Sequence, residues 1–435
     1  MQSDDTKNIQ VQSILEDDRI CDIDSRAARH RRHTTRLHAL LFILALLNNT
    51  PYVVIVCGAQ DLAVEFNMAN YVPSFLFSLN IFSLLVRILN SEWLLQYRHQ
   101  VKVIWCAGIW TAGYILFYCA YYFKHSNSAA GFIACLIATV LIGASTSIAD
   151  CTIIGFMKAV PADLIGAWSS GTGMAGIFGA VMYLIIKSMH IEFRHVVLML
   201  VLLAIAHCLI FKATLHYKAK LEVKAIHRSD IAAHTYPSSP IEGEVNKRQH
   251  DTELLEARQN EPLNWEGIKD SMKWTGVPML NLCAVYFLEY SCTTSFADRA
   301  HIKAELHSRW IDRNAFVLLG LSYQLGVFIS RSSLSIIKIN KVWYLTYIQI
   351  INFAIFFTVA AYKWMSTPFQ LALMLGVGLM GGASYVNCYY LILNDGNLAQ
   401  SRKELATNVA SFFNDLGVLG ASIFALIVSN YIITV

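Results

Sequence analysis

Asp150 and Glu289 each interrupt a run of apolar residues, a setting in which a charged side chain is costly. A carboxylate in the hydrocarbon region can take up and release a proton, as carboxylates do in pumps and transporters. The pattern predicts that one or both residues couple a proton to transport. The alternative is that either acid pairs with a buried base, Lys158 or Arg331, and holds two helices in register.

Arg331 is followed by Ser332 and Ser333 near the end of another apolar segment. A guanidinium binds a phosphate or a carboxylate through two parallel hydrogen bonds, and neighbouring hydroxyls can add further bonds. These residues indicate a site for an anionic group of a solute. The alternative is that Arg331 is a positively charged anchor at the cytosolic end of its helix.

A run of hydroxyls and glycines extends from Trp168 to Gly173. Hydroxyls and closely spaced backbone amides suit a phosphate or a polyol. The side chains of this run that we predict to bind solute are Trp168, Ser169, Ser170 and Thr172. Glycines at positions 173, 176 and 179 are expected on one helix face, so tight helix packing is the alternative explanation of the run.

Asn48 and Asn49 lie just before Pro51 in the middle of the first apolar segment. Pro51 removes a backbone donor and is expected to bend the helix. Two adjacent amides at this position predict a solute-facing break in a discontinuous helix. The alternative is that the amides form interhelical hydrogen bonds. Tyr385 and Asn387 present the same choice between lining a pocket and bonding two helices.

The composition places these residues in a membrane. Apolar residues make up 55% of the chain and charged residues 15%, whereas a soluble domain has about 25% charged residues. The mean hydropathy is +0.45. The apolar residues form blocks of about twenty, which is the length that a helix needs to cross a bilayer. The sequence therefore predicts an all-α polytopic protein in contact with membrane lipid.

Other classes of function have little support in the sequence. The net charge of +4 fits an asymmetry between loops better than nucleic-acid binding. The ten cysteines are scattered and form no Cys-x-x-Cys pair, so we predict neither a metal site nor a disulfide framework. No His-Glu-x-x-His or Gly-x-Ser-x-Gly arrangement occurs. We expect no enzymatic activity and no cofactor.

The apolar blocks predict about eleven transmembrane helices in two bundles. Their approximate positions are 37–59, 71–90, 101–122, 130–156, 164–187, 195–212, 276–295, 314–334, 343–362, 369–392 and 406–429. The spacing divides the chain into four parts. These are a disordered cytosolic tail (1–36), a six-helix bundle (37–212), a cytosolic loop (213–275) and a five-helix bundle (276–435).

Basic residues near the spans predict the orientation in the membrane. With the N-terminus in the cytosol, the cytosolic short segments contain fourteen basic residues and the opposite side contains eight. The excess of Lys and Arg on one side indicates that this side is cytosolic. The loop 299–313 is the exception, since it places four basic residues on the opposite side.

Four motifs occur in order along the chain. They are Trp168–Gly173 with Ala175-Gly176, Val285–Tyr290, the stretch from Tyr323-Gln324 through Gly326 and Arg331 to Leu334, and Gly381–Asn387. Together they resemble the battenin family of endosomal, lysosomal and vacuolar membrane proteins, over roughly residues 37–430. The resemblance adds Tyr290 and Gln324 to the predicted substrate-binding residues. The chain departs from the expected pattern at Asp150, where the resemblance leads us to expect Glu.

The resemblance implies an eleven-span fold similar to the major facilitator superfamily and residence in a lysosomal or vacuolar membrane. It also implies export of glycerophosphodiesters, transport of basic amino acids or control of lumenal pH. We predict a transporter of a small polar solute, proton-coupled or facilitative. An arginine cargo would need facing carboxylates, whereas a glycerophosphodiester would need Arg331 and hydroxyls, and both sets are present.

The alternative is a membrane scaffold that does not transport and instead regulates endolysosomal trafficking and pH through the tail and the 213–275 loop. That loop contains Asp251-Thr-Glu-Leu254-Leu255, which resembles an acidic dileucine sorting signal. The segment is either a binding site for trafficking proteins or a solvated turn.

Overall fold

The computed structural model describes residues 2–92, 97–157, 163–232, 265–301, 309–398 and 402–433, and no strand occurs among them. The α-helices are α1 Gln2–Glu65, α2 Pro73–Asn80, α3 Ser83–Glu92, α4 His99–Ala120, α5 Ser128–Met157, α6 Asp163–Ser188, α7 Phe193–Ala232, α8 Trp265–Tyr290, α9 Ala297–His301, α10 Trp310–Arg313, α11 Ala315–Ser332, α12 Trp343–Tyr362, α13 Thr367–Asn394 and α14 Lys403–Ile427. A π-helical segment, Ser291–Phe296, joins α8 to α9.

Ten helical segments in the described part of the chain are long and apolar enough to cross a membrane. Helices satisfy all their backbone hydrogen bonds internally, which a membrane interior requires. The predicted seventh span lies in α8, which is more polar than these ten segments and includes Asn281 and Glu289. The Asn281 amide is satisfied inside the protein, since its Nδ2 donates to Ser384 Oγ of α13 at 2.6 Å. The predicted all-α membrane class is confirmed.

The helices pack as two halves. In the N-terminal half α1 packs against α6 and α7, and α4 packs against α5 and α7. In the C-terminal half α8 packs against α13 and α14, and α11 packs against α13. The halves meet where α6 packs against α11 and where α2 packs against α14. We call this boundary between the halves the seam.

The glycines of α6 serve both sides of that helix. A Cβ at Gly179 would lie 2.9 Å from Val53 of α1, whereas a Cβ at Gly173 would lie 3.0 Å from Phe328 of α11. The prediction that positions 173, 176 and 179 share one packing face is therefore wrong for Gly179. Small residues let α6 approach α1 and α11 closely at the same time.

Helix α1 continues through Pro51, so the predicted break in the first span is absent. The side chains before the proline bind carbonyls of the preceding turn: Asn49 Nδ2 donates to Ala45 at 3.2 Å and Thr50 Oγ1 donates to Leu46 at 2.7 Å. The absent Pro51 N–H would have bonded the Leu47 carbonyl, four residues earlier, so these two bonds hold the same turn without replacing that donor.

Two predicted irregular segments are partly helical. Because α1 begins at Gln2, the predicted tail 1–36 is not disordered over residues 2–36. Its Ala, Gln, Glu and Arg residues favour a helix even where few apolar residues are available for burial. Helix α7 extends to Ala232, so the predicted loop 213–275 starts with helix. The dileucine-like segment lies outside the described residues.

The spans end on two opposite faces of the bundle. We name these the Arg36 face and the Glu65 face, after residues near the two ends of the first span. On the Arg36 face, Arg36 Nη1 donates to Tyr217 OH at 3.2 Å. On the Glu65 face, Lys124 forms an ion pair with Glu65. The orientation with the Arg36 face in the cytosol stays a prediction.

A candidate solute site at the seam

Glu289 lies in α8 with 1% of its surface exposed. Its Oε1 accepts a hydrogen bond from Tyr323 OH of α11 at 3.0 Å, and its Oε2 has no hydrogen-bond partner among the described residues. A Cβ at Gly381 of α13 would lie only 1.5 Å from Oε2. The glycine therefore makes the space that this carboxylate oxygen occupies. A buried carboxylate with one satisfied oxygen can take up a proton on the other.

Arg331 lies at the seam and contacts both halves. Its Nη1 donates to Thr172 Oγ1 of α6 at 2.8 Å, and its Nη2 donates to Tyr286 OH of α8 at 3.1 Å. The guanidinium lies over the ring of Tyr385, 4.2 Å from the centroid, in a cation–π contact. Its Nε is buried without a hydrogen-bond partner among the described residues. One donor on this cation is thus left for another acceptor.

Five tyrosines, which we call the tyrosine cluster, lie beside these two charges. They are Tyr52, Tyr286, Tyr290, Tyr323 and Tyr385. The Tyr286 and Tyr290 rings stack with centroids 5.9 Å apart, and the Tyr290 and Tyr323 rings meet edge to face at 6.4 Å. Tyr52 of α1 shares hydrogen bonds with Tyr290 and with Asn80 of α2. Through the contacts of its rings and hydroxyls, the cluster therefore connects Arg331 and Glu289 to the N-terminal half.

Sequence reasoning missed Tyr52, Tyr286 and Tyr323 as site residues. A signal for one of them was present, because Tyr286, Glu289 and Tyr290 follow i, i+3, i+4 spacing and so share one face of α8. The π-helical segment begins directly after Tyr290. Such segments inside helices occur frequently at functional sites.

The predicted run in α6 divides between the seam and the interior of the N-terminal half. Thr172 contacts Arg331, and Ser170 Oγ accepts from Ser332 Oγ of α11 at 3.3 Å. Ser169 is buried, and its hydroxyl has no partner among the described residues. Trp168 instead packs in a hydrophobic cluster with residues such as Leu41. Trp168 is therefore not brought to the charged residues.

The remaining side chains predicted in α11 and α13 have separate positions. Gln324 lies against α6, since a Cβ at Gly176 would be 2.0 Å from its Oε1. Asn387 Oδ1 accepts from the Ile339 amide at 2.7 Å, and its Nδ2 donates to the Ala383 carbonyl at 2.8 Å. One bond is to its own helix and the other is to the segment between α11 and α12, so neither is the interhelical bond that was the alternative for Asn387. Tyr385 lies on Arg331.

Asp150 is paired inside the N-terminal half. Asn48 Nδ2 of α1 donates to Asp150 Oδ1 of α5 at 2.5 Å. The side chain of Asn49 binds its own helix instead, at Ala45. The alternative partner Lys158 lies outside the described residues. The proton-coupling role of Asp150 stays a prediction. For Asn48 the contact is an interhelical hydrogen bond, which was the alternative to a solute-facing break.

Sequence reasoning also missed three charged residues of the C-terminal half. Asp415 of α14 is 5% exposed and lies near Tyr52 across the seam. Asp298 and Arg299 of α9 are each 1% exposed and form an ion pair at 3.1 Å. Asp298 and Arg299 fall in a stretch that the sequence predicts as a loop between the seventh and eighth spans, whereas Asp415 falls in the predicted last span. Pairing lowers the cost of burying the two opposite charges of Asp298 and Arg299.

A cavity of about 520 Å³ lies elsewhere, on the Arg36 face, between the ends of α8, α12 and α13. Its lining includes Trp274, Asn340, Trp343, Tyr390 and Asp395, and none of the predicted site residues. Across the described ranges, no group of three or more His, Cys, Asp or Glu side chains could hold a metal ion. The candidate site is therefore the Arg331–Glu289 region of the seam.

The chain matches the family model described as CLN3 protein over residues 39–435. It is 28% identical over 398 residues to a protein named Battenin from Dictyostelium discoideum, covering 88% of this chain and 92% of the relative. It is 24% identical to the protein BTN1 of Saccharomyces cerevisiae, covering 90% of this chain and 93% of that one.

Two solved structures show the fold. A D-xylose–proton symporter superposes with a TM-score of 0.56 at 12% identity, covering 92% of this chain and 91% of that one. The nucleoside transporter NupG superposes with a TM-score of 0.54 at 14% identity, covering 91% and 92%. Both are transporters of the major facilitator type, so the two-bundle fold predicted from the sequence is confirmed.

Proposed function

Because the chain belongs to the CLN3 protein family and shares its fold with major facilitator transporters, we propose that it carries a small polar solute across a membrane. The observation that supports this most directly is the position of Arg331. A partly buried cation at the seam bonds Thr172 in one half and Tyr286 in the other. Rearrangement of the halves would change its surroundings, as alternating access requires.

The surroundings of Arg331 favour a solute with an anionic group and hydroxyls. The guanidinium can bind a phosphate or a carboxylate through two hydrogen bonds. Thr172 and Ser170 add hydroxyls from α6 next to it. A glycerophosphodiester or a basic amino acid has a matching anionic group. We propose Arg331 as the residue that binds that group, with the tyrosine cluster contacting the rest of the solute.

Glu289 is proposed as the residue that couples a proton to transport. Its Oε2 is available for a proton, while Tyr323 holds Oε1 in place. A proton on this carboxylate would remove a negative charge from the region of the seam that also contains Arg331. Loading and release of that proton would thereby alter how strongly an anionic solute is held.

The proposed location is a lysosomal or vacuolar membrane, with the Arg36 face in the cytosol and the Glu65 face in the lumen. Lipid surrounds the apolar helices, and trafficking proteins would bind the cytosolic loop. Movement of solute and protons would contribute to lumenal pH. This location rests on the family resemblance and on the excess of basic residues near the Arg36 face.

Purified protein in liposomes tests the proposal. A labelled glycerophosphodiester and, in parallel, labelled arginine are offered with and without a pH gradient. We expect Arg331→Lys to lower uptake at least about tenfold, because lysine loses the bidentate geometry and the planar cation on Tyr385. Arg313→Lys is the matched control, since Arg313 is exposed at the end of α10.

Uptake that Arg331→Lys leaves unchanged would contradict the assignment of Arg331. Failure of folded wild-type protein to move either probe would favour the alternative, a membrane scaffold that does not transport.

A further inference from the structure

The buried ion pair Asp298–Arg299 connects the two halves at the Glu65 face. Both residues lie in α9 of the C-terminal half. Gln60 Nε2 of α1 donates to Asp298 Oδ1 at 3.3 Å. Arg299 Nη1 donates to Asn70 Oδ1 at 3.3 Å, and its Nη2 donates to the Ala69 carbonyl at 3.5 Å. Ala69 and Asn70 belong to the short 3₁₀ segment that follows α1.

We infer that Asp298, Arg299, Gln60 and Asn70 form a gate that closes the seam on the Glu65 face. The bonds from Gln60 to Asp298 and from Arg299 to Asn70 and Ala69 join α9 to the N-terminal half, so these three bonds must break before the halves separate there. The inference rests on the proposed function for its consequence in transport, because only alternating access requires that face to open. Arg331 lies toward the opposite face, so the gate is distinct from the candidate solute site.

Other charges near the gate are already paired. Asp61, next to Gln60, forms an ion pair with Lys187 of α6 at 2.8 Å. Asp312, just before α11, binds Arg309 at 3.0 Å and also accepts from Thr367. Helices α11 and α12 pack against α9 but bring no charge that acts on Asp298 within the described ranges. Arg299 is therefore the charged group that faces Asp298 in this part of the structure.

The balance between the closed and the open gate is expected to depend on pH. Burial raises the pKa of Asp298 to about 6, although Arg299 and Gln60 lower it. In an open gate water would reach Asp298, and its pKa would return toward the ordinary value of about 4. The closed gate therefore binds the proton more tightly. Lowering the pH from about 7 to about 4 favours the closed gate, and raising it favours opening.

Spin labels on the two sides of the gate measure its opening directly. Val64→Cys on α1 and Trp310→Cys on α10 suit this purpose, because these side chains are 46% and 55% exposed. Cys21 and the accessible Cys119, Cys208 and Cys283 are replaced by Ser in the same protein, so that labels attach at the two chosen positions. Pulsed electron–electron double resonance then gives the distribution of distances between the two labels in the full chain in nanodiscs.

Substitutions of Asn70 should move this distribution in opposite directions. Asn70→Asp places a carboxylate opposite Arg299 and should raise the ratio of short to long distances at least about threefold, because a bond from a cation to a neutral amide oxygen becomes a bond between opposite charges. Asn70→Ala should lower that ratio. Asn67→Asp is the matched control, since it adds the same charge to the same connection. Identical distance distributions for Asn70→Asp, Asn70→Ala and wild type would contradict the assignment of these residues to a gate.

Asp298→Asn tests the pH response. The asparagine keeps an acceptor for Gln60 but cannot bind the proton. In wild type the short-distance fraction should rise as the pH falls from about 7 to about 4.5, the range in which Asp298 titrates. In Asp298→Asn the fraction should not change. An equal pH response in both proteins would overturn the role of Asp298.

These distances are measured without any solute. A gate that opens and closes as expected in a protein that moves neither probe would therefore separate failure of the proposed function from failure of the gate.

Discussion

Glu289 and Asp150 are both carboxylates in apolar helices, yet they join different parts of the molecule. Asp150 accepts a hydrogen bond from Asn48, and both residues belong to the N-terminal half. Glu289 belongs to the C-terminal half, and its neighbours in the tyrosine cluster reach Tyr52 of the N-terminal half. A carboxylate that bonds two helices of one half can have a purely structural role. The contacts of a carboxylate beside the seam change when the halves move.

The same difference appears in how the two acids are satisfied. Asp150 receives an amide at 2.5 Å, whereas Glu289 has an oxygen without a hydrogen-bond partner among the described residues. A buried polar atom without a hydrogen-bond partner destabilises the fold, so such atoms are few and often have a functional role. We therefore expect substitution of Glu289 to lower transport and substitution of Asp150 to affect mainly stability.

The largest effect is expected for Glu289→Gln. The amide cannot carry the proton, so uptake driven by a pH gradient should fall at least about tenfold, the effect of losing a positioned acid–base group. Exchange of solute without a gradient should fall less. Both are measured in the same liposomes. Equal loss of driven uptake and exchange would mean that Glu289 positions the solute or the helices rather than carrying a proton.

A smaller loss is expected for Gly381→Ala. The added methyl would occupy the position of Glu289 Oε2, 1.5 Å away, so the side chain must move. Overpacking of this kind costs about 1–3 kcal/mol. We expect lower thermal stability and reduced uptake. Gly376→Ala in the same helix is the control, because nothing lies within 4 Å of the added Cβ. Equal behaviour of the two variants would contradict the close approach of Glu289 to α13.

The smallest effect is expected for Asp150→Asn. The new side chain still offers an oxygen to Asn48, so an amide–amide hydrogen bond replaces the bond to the acid, and the free energy of unfolding should fall by about 1 kcal/mol or less. Uptake per folded molecule should stay near that of wild type. Asn48→Leu, which removes the bond, should destabilise the protein more. A loss of driven uptake as large as that of Glu289→Gln would instead make Asp150 a second coupling residue.

Some of the site could be predicted because its residue types are rare in lipid. Glu289 and Arg331 stand out in an apolar sequence, and the structure places both beside one tyrosine cluster. Trp168 was predicted with the hydroxyl run and Asn387 as a residue that lines a pocket or joins two helices, but they lie in helix packing and in a loop bond. Amides and aromatic rings can be satisfied by either role, so residue type alone does not separate the two.

The residues that sequence reasoning missed share a different property. Tyr52, Tyr286 and Tyr323 resemble ordinary aromatic residues of a membrane span until their partners are known. Asp298 and Arg299 fall in a stretch that the sequence predicts as a loop. Their burial depends on Gln60 and on the 3₁₀ segment at Ala69, and Gln60 lies 238 residues from Asp298.

The membrane class and the order of the spans were determined by the sequence alone, because apolar length and charge asymmetry are local properties of a chain. Only the tertiary structure decided which polar side chains meet. Thr172 and Arg331, 159 residues apart, come together because α6 and α11 pack across the seam. Contacts of that kind depend on helix packing, which the pattern of any single helix does not specify.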